Sequence, residues 1–200
     1  MNDFKAEPLE LREAMLKAAN RVLESGWYVL GNECKQFEEQ WSTVCGVGHG
    51  IGVANGMDAI EIALLGLSIG GGDEVITTPM TAFATILAII RSGAKPVLAD
   101  IDSETALLSI ESVRRSLTAN TKAVVLVHLY GQVRQMDEWV IFCEENKIML
   151  IEDCAQAHQA TWQGKVAGCF GQAGAYSFYP TKNLGAVGDA GMLVTNNSTL

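Results

Sequence analysis

The stretch SFYPTKNLGAVGDAG places one lysine, Lys182, after a strand-like run and before a series of glycines. Lysines usually sit on charged surface, and this turn carries few other charges. An amine in a turn that tolerates close backbone approach can condense with an aldehyde, the chemistry of covalent catalysis by lysine. Asp153 follows the apolar run 148–152, where a carboxylate can keep a ring nitrogen protonated. Phe83 offers an aromatic face. Asn55-Gly56 can open a helix whose first N–H groups and dipole bind phosphate. Lysine, carboxylate, aromatic and phosphate-binding helix start together suit pyridoxal 5′-phosphate (PLP), whose ring acts as an electron sink.

Each residue also has a plainer reading. Lys182 is compatible with a surface charge, Asp153 with a helix N-cap, Phe83 with core packing and Ser177 with a small residue in a tight strand. His128 is compatible with a buried histidine satisfied by backbone, and Asn55-Gly56 with an ordinary turn and helix start. What favours a site is position along the chain. The runs 74–78, 96–100, 123–128, 148–153, 173–179 and 190–195 read as strands, and 81–91, 110–117 and 136–145 between them as helices. Continuous apolar strands alternating with helices predict an α/β fold: a mostly parallel mixed sheet with helices on both faces. The link of ten residues between the last two runs holds no helix, so that pair is expected to be antiparallel. Ligands of open α/β sheets bind beyond the carboxyl ends of the strands. Phe83, His128, Asp153, Gln156, His158 and Lys182 follow or end a predicted strand, and Ser177 lies in the last part of one.

Upstream, residues 9–24 read as an amphipathic helix with Leu11, Met15, Ala18 and Val22 on one stripe, ended by Gly26. Helices are also expected over 33–44 and 58–68. The run GVGHGIG at 46–52 is not G-x-G-x-x-G and follows no clear strand, and no P-loop pattern is present, so a nicotinamide dinucleotide or P-loop site is not expected.

Composition narrows the class. The chain has 200 residues, 48% of them hydrophobic, enough for one sizeable domain. A net charge of −9 argues against a broad nucleic-acid-binding face. The N-terminal stretch lacks the zones of a signal peptide and no apolar run is long enough to span a bilayer, so no membrane partner and a cytoplasmic location are expected. Five scattered cysteines without a C-x-x-C pair read as reduced thiols, and three distant histidines without ligand spacing give no expectation of a metal. The chain stops at TNNSTL, just after a strand, and is expected to be a truncated form.

The segments NGMDAI, GDEVITTPMTAFAT, HLYG, EDCAQAH and SFYPTKNLGAVGDAG resemble the DegT/DnrJ/EryC1/StrS sugar aminotransferases, within the fold-type I PLP enzymes. The resemblance covers nearly the whole chain. It implies a PLP-binding large domain over 1–200, with an N-terminal helical segment over about 1–45 and without the family's smaller C-terminal domain. It implies that Lys182 carries the cofactor and acts as proton-transfer group, and that Asp153 pairs with the pyridine nitrogen. It implies Phe83 on one ring face, Gln156 near the other face and the ring oxygen, and Ser177 with the backbone of Gly56 and Met57 on the phosphate. His128 and His158 are implied pocket residues. The implied reaction moves an amino group from glutamate to a keto group of a nucleotide-linked sugar, in a homodimer. VHLYG and VANGMDA are closer to members acting on 3-keto-6-deoxy sugars of dTDP. Met57 departs from the Thr or Ser of many members, and Gln159 from a common glycine. A PLP-dependent dehydratase of the same family replaces the lysine with histidine, so Lys182 argues against it. A non-catalytic remnant or an interaction module of the same fold is the other alternative.

Overall fold

The computed structural model describes residues 3–200. A short 3-10 turn, Phe4–Ala6, precedes α1 (Leu9–Ser25) and α2 (Asn32–Cys45). Each of these helices stops at a glycine in the left-handed region, Gly26 (φ 65°) and Gly46 (φ 70°), where a side chain would be strained. Of the apolar stripe expected on the first helix, Met15, Ala18 and Val22 are half-buried and Leu11 is exposed, and no residue of α1 is fully buried. A fork from Arg21 to Glu33, both bonds at 3.0 Å, ties α1 to α2. Residues 1 and 2 of the expected N-terminal segment lie outside the described residues.

Then follow β1 (His49–Val53), α3 (Gly56–Gly66), β2 (Glu74–Thr77), α4 (Phe83–Arg91), β3 (Lys95–Leu98), α5 (Ile110–Ser116), β4 (Thr121–Val127), α6 (Met136–Asn146) and β5 (Met149–Asp153). A two-stranded hairpin, β6 (Thr161–Trp162) with β7 (Lys165–Val166), leads to β8 (Ala173–Ser177) and β9 (Gly191–Thr195). The main sheet has seven strands in the order β1-β9-β8-β5-β4-β2-β3. Its β3-β2, β2-β4, β4-β5 and β5-β8 pairs are parallel, and β8-β9 and β9-β1 are antiparallel. The mostly parallel mixed sheet and the antiparallel last pair are as the sequence predicts.

Strand side chains alternate between faces, and that alternation sorts the core. Val75, Val125, Ile151, Ala175 and Leu193 pack with Ala59, Ile60 and Leu64 of α3 and Ala88 and Ile89 of α4. Ile76, Val124, Leu150, Tyr176 and Met192 pack on the other face with Trp41 of α2, Val113 of α5 and Trp139 and Phe142 of α6. Leu64 and Ile89 are fully buried, and such burial stabilises by about 1.5–3 kcal/mol per side chain. The same alternation puts Asp153 and Ser177 on the α3/α4 face and Glu152 on the other.

Two elements depart from expectation. Residues 49–53 form an edge strand although they contain Gly50 and Gly52, which have poor strand propensity. The space next to α2 explains the glycines: a Cβ on Gly50 would lie 2.8 Å from the Glu38 carbonyl oxygen. Residues 161–166 form a hairpin too short to leave a periodic signal.

Candidate active site

Helix α3 begins under the end of β8. Asn55 caps it, its side-chain oxygen accepting from the Asp58 N–H at 2.9 Å. The first N–H groups of a helix have no partner within it, so Gly56 and Met57 present donors at this end. Gly56 lies against Ser177: a Cβ there would sit 2.7 Å from Ser177 Cβ. Only glycine allows the helix start and the serine this close. The Met57 side chain packs on the α3/α4 core instead, which accounts for an apolar residue at this position. Glycine recurs across the strand, where Gly191 pairs with Ser177 and a Cβ would lie 2.3 Å from the Asn55 carbonyl.

Asp153 closes β5 and is 6% exposed. Its Oδ1 accepts from the Ala155 N–H at 3.1 Å, and its Oδ2 from the Thr85 hydroxyl at 2.8 Å. Thr85 and Phe83 are both on α4. Phe83, the first residue of that helix, is 69% exposed, so it does not pack in the core. Gln156 follows three residues after Asp153. Its amide oxygen accepts from the Tyr130 N–H at 2.8 Å, which leaves the amide nitrogen as the donor available to a ligand.

Lys182 sits in the β8-β9 link. Its N–H bonds the Tyr179 carbonyl at 2.8 Å, and Ala186 N–H bonds the Phe178 carbonyl at 2.7 Å, folding the link into a tight loop. Gly185 is required there, because a Cβ would lie 2.6 Å from the Pro180 carbonyl oxygen. Lys182 is half-buried and shares an open cavity of about 480 Å³ with Tyr130, Gln156, Thr181 and Asn183. Among the described residues no carboxylate comes within ion-pair distance of it. A half-buried amine without a counter-ion is suited to react rather than to stabilise.

Of the two histidines, His158 adjoins this group and His128 lies away from it. His158 lies under the β8 end, its Nε2 bonding the Ser177 carbonyl at 2.9 Å and its ring against Trp41, Tyr176 and Phe178. Burial is the largest influence on it and pushes its pKa down, the bonds to Ser177 and Asn183 oppose this, and the charge of Lys182 lowers it further. His158 therefore supports the serine from below. His128 lies in a different part of the structure. It is buried, with Nε2 at 2.9 Å from Glu152 Oε2, and it borders a separate cavity with Asp102, Arg134 and Trp139. Glu152, fully buried, also accepts the N–H groups of Gly168, Phe170 and Gly171 at 2.7–2.9 Å. The pair faces away from Asp153 because successive strand residues point to opposite faces. With Cys154 the two side chains have ligand atoms within 4.8 Å of one another, but those four bonds already occupy the carboxylate.

Sequence reasoning assigned no role to Thr85 or Tyr130, although both lie inside segments that carry the resemblance, Thr85 at the end of GDEVITTPMTAFAT and Tyr130 within HLYG. Tyr130 has φ 56°, a strained value for a non-glycine residue, which no sequence pattern announces.

The residues present fit PLP: a glycine-tight helix start beside a serine hydroxyl, a buried carboxylate fixed by donors, an exposed aromatic and an unpaired lysine amine. The family model described as the DegT/DnrJ/EryC1/StrS aminotransferase family matches residues 9–200. A pleiotropic regulatory protein of Geobacillus stearothermophilus is 42% identical over all 200 residues, which are 54% of its own length. A dTDP-3-amino-3,6-dideoxy-alpha-D-galactopyranose transaminase of Aneurinibacillus thermoaerophilus is 43% identical over 99% of this chain and 54% of its own. Among solved structures, S. venezuelae DesV in complex with a ketimine intermediate superposes with a TM-score of 0.94 at 41% identity, over 98% of this chain and 53% of that one. NtdA from Bacillus subtilis with bound cofactor PMP gives a TM-score of 0.89 at 33% identity, over 96% and 43%. This chain thus spans about half the length of the relatives it matches. PLP is the cofactor of the matched family. With the fold, the site and the match over residues 9–200 in agreement, the chain belongs to the DegT/DnrJ/EryC1/StrS aminotransferase family.

Proposed function

We propose that the chain is the cofactor-binding half of a PLP-dependent aminotransferase that moves an amino group from glutamate to a keto group of a nucleotide-linked deoxy sugar. The single observation that carries this reading is Lys182, half-buried, without a counter-ion, in a cavity shared with Gln156. Relatives whose names are dTDP-amino-sugar transaminases support a 3-keto sugar of dTDP as acceptor. When bound, PLP supplies an aldehyde that carries nitrogen and a ring that accepts electrons.

The chain's own residues do the rest. Lys182 Nζ holds the cofactor between turnovers. Once free, the same amine is the general base that takes a proton from the amino acid's α-carbon and the general acid that delivers it within the same half-reaction, with the reverse transfer in the second half. Asp153 holds a proton on the ring nitrogen. The amide nitrogen of Gln156 donates to the ring oxygen, and Phe83 covers a ring face and excludes water from it. Gly56 and Met57 N–H groups with the Ser177 hydroxyl hold the phosphate. A homodimer, a cytoplasmic location and the family's smaller second domain belong to the same proposal. Free thiols at all five cysteines support a reducing compartment. Among the described residues no helix is long and apolar enough to cross a membrane.

The test is covalent capture. Load the purified chain with PLP, reduce with borohydride and map the modified lysine by mass spectrometry. Modification concentrated at Lys182, and lost in Lys182→Ala, is the expected result. Scattered or absent modification in a folded chain would instead favour a non-catalytic remnant.

A further inference from the structure

Asp153 is held by a hydroxyl relay that reaches it from a helix distant in sequence. Thr85 Oγ1 donates to Asp153 Oδ2 at 2.8 Å. Its hydrogen being used there, the contact of 2.8 Å between Thr81 Oγ1 and Thr85 Oγ1 runs with Thr81 as donor. The chain of bonds is therefore Thr81 to Thr85 to Asp153. Thr85 is 1% exposed, and water cannot replace its hydroxyl. Oδ1 is bound to the Ala155 N–H at 3.1 Å, so each carboxylate oxygen has one protein donor. The carboxyl plane is fixed about both oxygens and cannot rotate without breaking a buried bond. Thr85 also lies two residues after Phe83 on the same short helix, so the bond joins the aromatic wall of the site to its carboxylate.

We propose that Thr85, supported by Thr81, is a positioning residue that sets the orientation of Asp153 toward the cofactor's ring nitrogen and fixes the spacing between that carboxylate and Phe83. The inference rests on the PLP reading of the site. Its substance is specific: a β-branched residue of the same shape without the hydroxyl will not serve, and a smaller residue with the hydroxyl will.

The test compares Thr85→Val, Thr85→Ser and Thr81→Val with the unaltered chain. Three readouts are taken: PLP dissociation constant, absorption spectrum of the bound cofactor across pH, and Lys182 labelling after borohydride reduction. Thr85→Val is expected to weaken PLP binding by about tenfold, the size of losing one hydrogen bond to a charged group. It should also move the pH at which the bound cofactor's spectrum changes, while labelling stays at Lys182 once PLP is saturating. Thr85→Ser is expected to return both quantities to within about twofold of the unaltered chain, and Thr81→Val to fall between the two. An unchanged spectrum and affinity in Thr85→Val overturns the proposal, as does a Thr85→Ser variant no better than Thr85→Val. If Thr85→Val does not fold, Thr81→Val decides: an unchanged spectral titration there overturns it. Failure of the unaltered chain to label at Lys182 overturns the PLP reading itself, and is seen before any variant is compared.

Discussion

Gly56 and Ser177 meet where the start of α3 passes under the end of β8, so close that a methyl group on Gly56 would lie 2.7 Å from Ser177 Cβ. Replacing Gly56 with alanine forces the helix start away from the serine. Gly56→Ala is expected to cost about 1–3 kcal/mol by overpacking and to abolish measurable PLP binding in the micromolar range. Urea denaturation and a PLP titration check both. A variant that binds PLP normally would show that the N–H groups of this helix do not hold the phosphate.

Glu152 is expected to be a stability determinant without a part in the chemistry. It accepts three backbone N–H groups from 168–171 as well as the His128 contact. Glutamine in its place must point an NH₂ group at existing donors. Glu152→Gln should cost about 3 kcal/mol or more, the range for breaking a buried charged network. Chemical denaturation measures this; a loss below about 1 kcal/mol would mean that the loop re-forms without the carboxylate.

The pH dependence of stability should carry a signature of His158. Burial lowers its pKa in the folded chain from an ordinary value of 6.5. Between the folded and unfolded values the unfolded chain binds the extra proton, so stability rises with pH in that window. The contribution is complete above about pH 6.5 and is lost as pH falls toward the lowered folded value. Melting temperature is expected to drop on acidification from pH 7 to 5, and His158→Asn is expected to flatten that part of the profile. A profile identical in the two proteins would remove His158 as its cause.

Thiol reactivity should separate the cysteines. Burial pushes the Cys143 thiol up to about 12 and that of Cys154 well above its usual range, while Cys34 is only partly buried. Iodoacetamide at pH 8 is expected to label Cys34 first, and Cys143 and Cys154 only after unfolding. Peptide mapping with time reads the order. Early labelling of Cys154 would mean that the β5 end opens readily.

The amino-acid sequence by itself determined the strands that are buried on both faces. Runs such as AVVLV and MLI cannot be stable in water and have no polar face to present, so 121–127 and 149–153 had to be central. The glycine-rich link without a helix determined that β8 and β9 run antiparallel. It also placed Lys182, Asp153, Ser177 and Phe83 at or beyond the carboxyl ends of strands, because that follows from chain order alone.

Tertiary structure decided the rest. Edge strand β1 exists because β9 offers it a ladder and α2 leaves room only for glycine, which local propensity does not contain. The first helix carries an apolar stripe in sequence, yet the fold buries it only in part: Met15, Ala18 and Val22 are half-buried and Leu11 is exposed. His128 and His158 looked alike as polar residues near strand ends. The alternation of β5 sends the partner of His128, Glu152, to the opposite layer, and aromatic packing places His158 beneath Ser177. The bond from Thr85 to Asp153 became visible only when α4 was laid across the end of β5, because a hydrogen bond spanning 68 positions has no local signature. Burial and period are properties of neighbours in the chain; which face, which partner and which cavity are properties of neighbours in space.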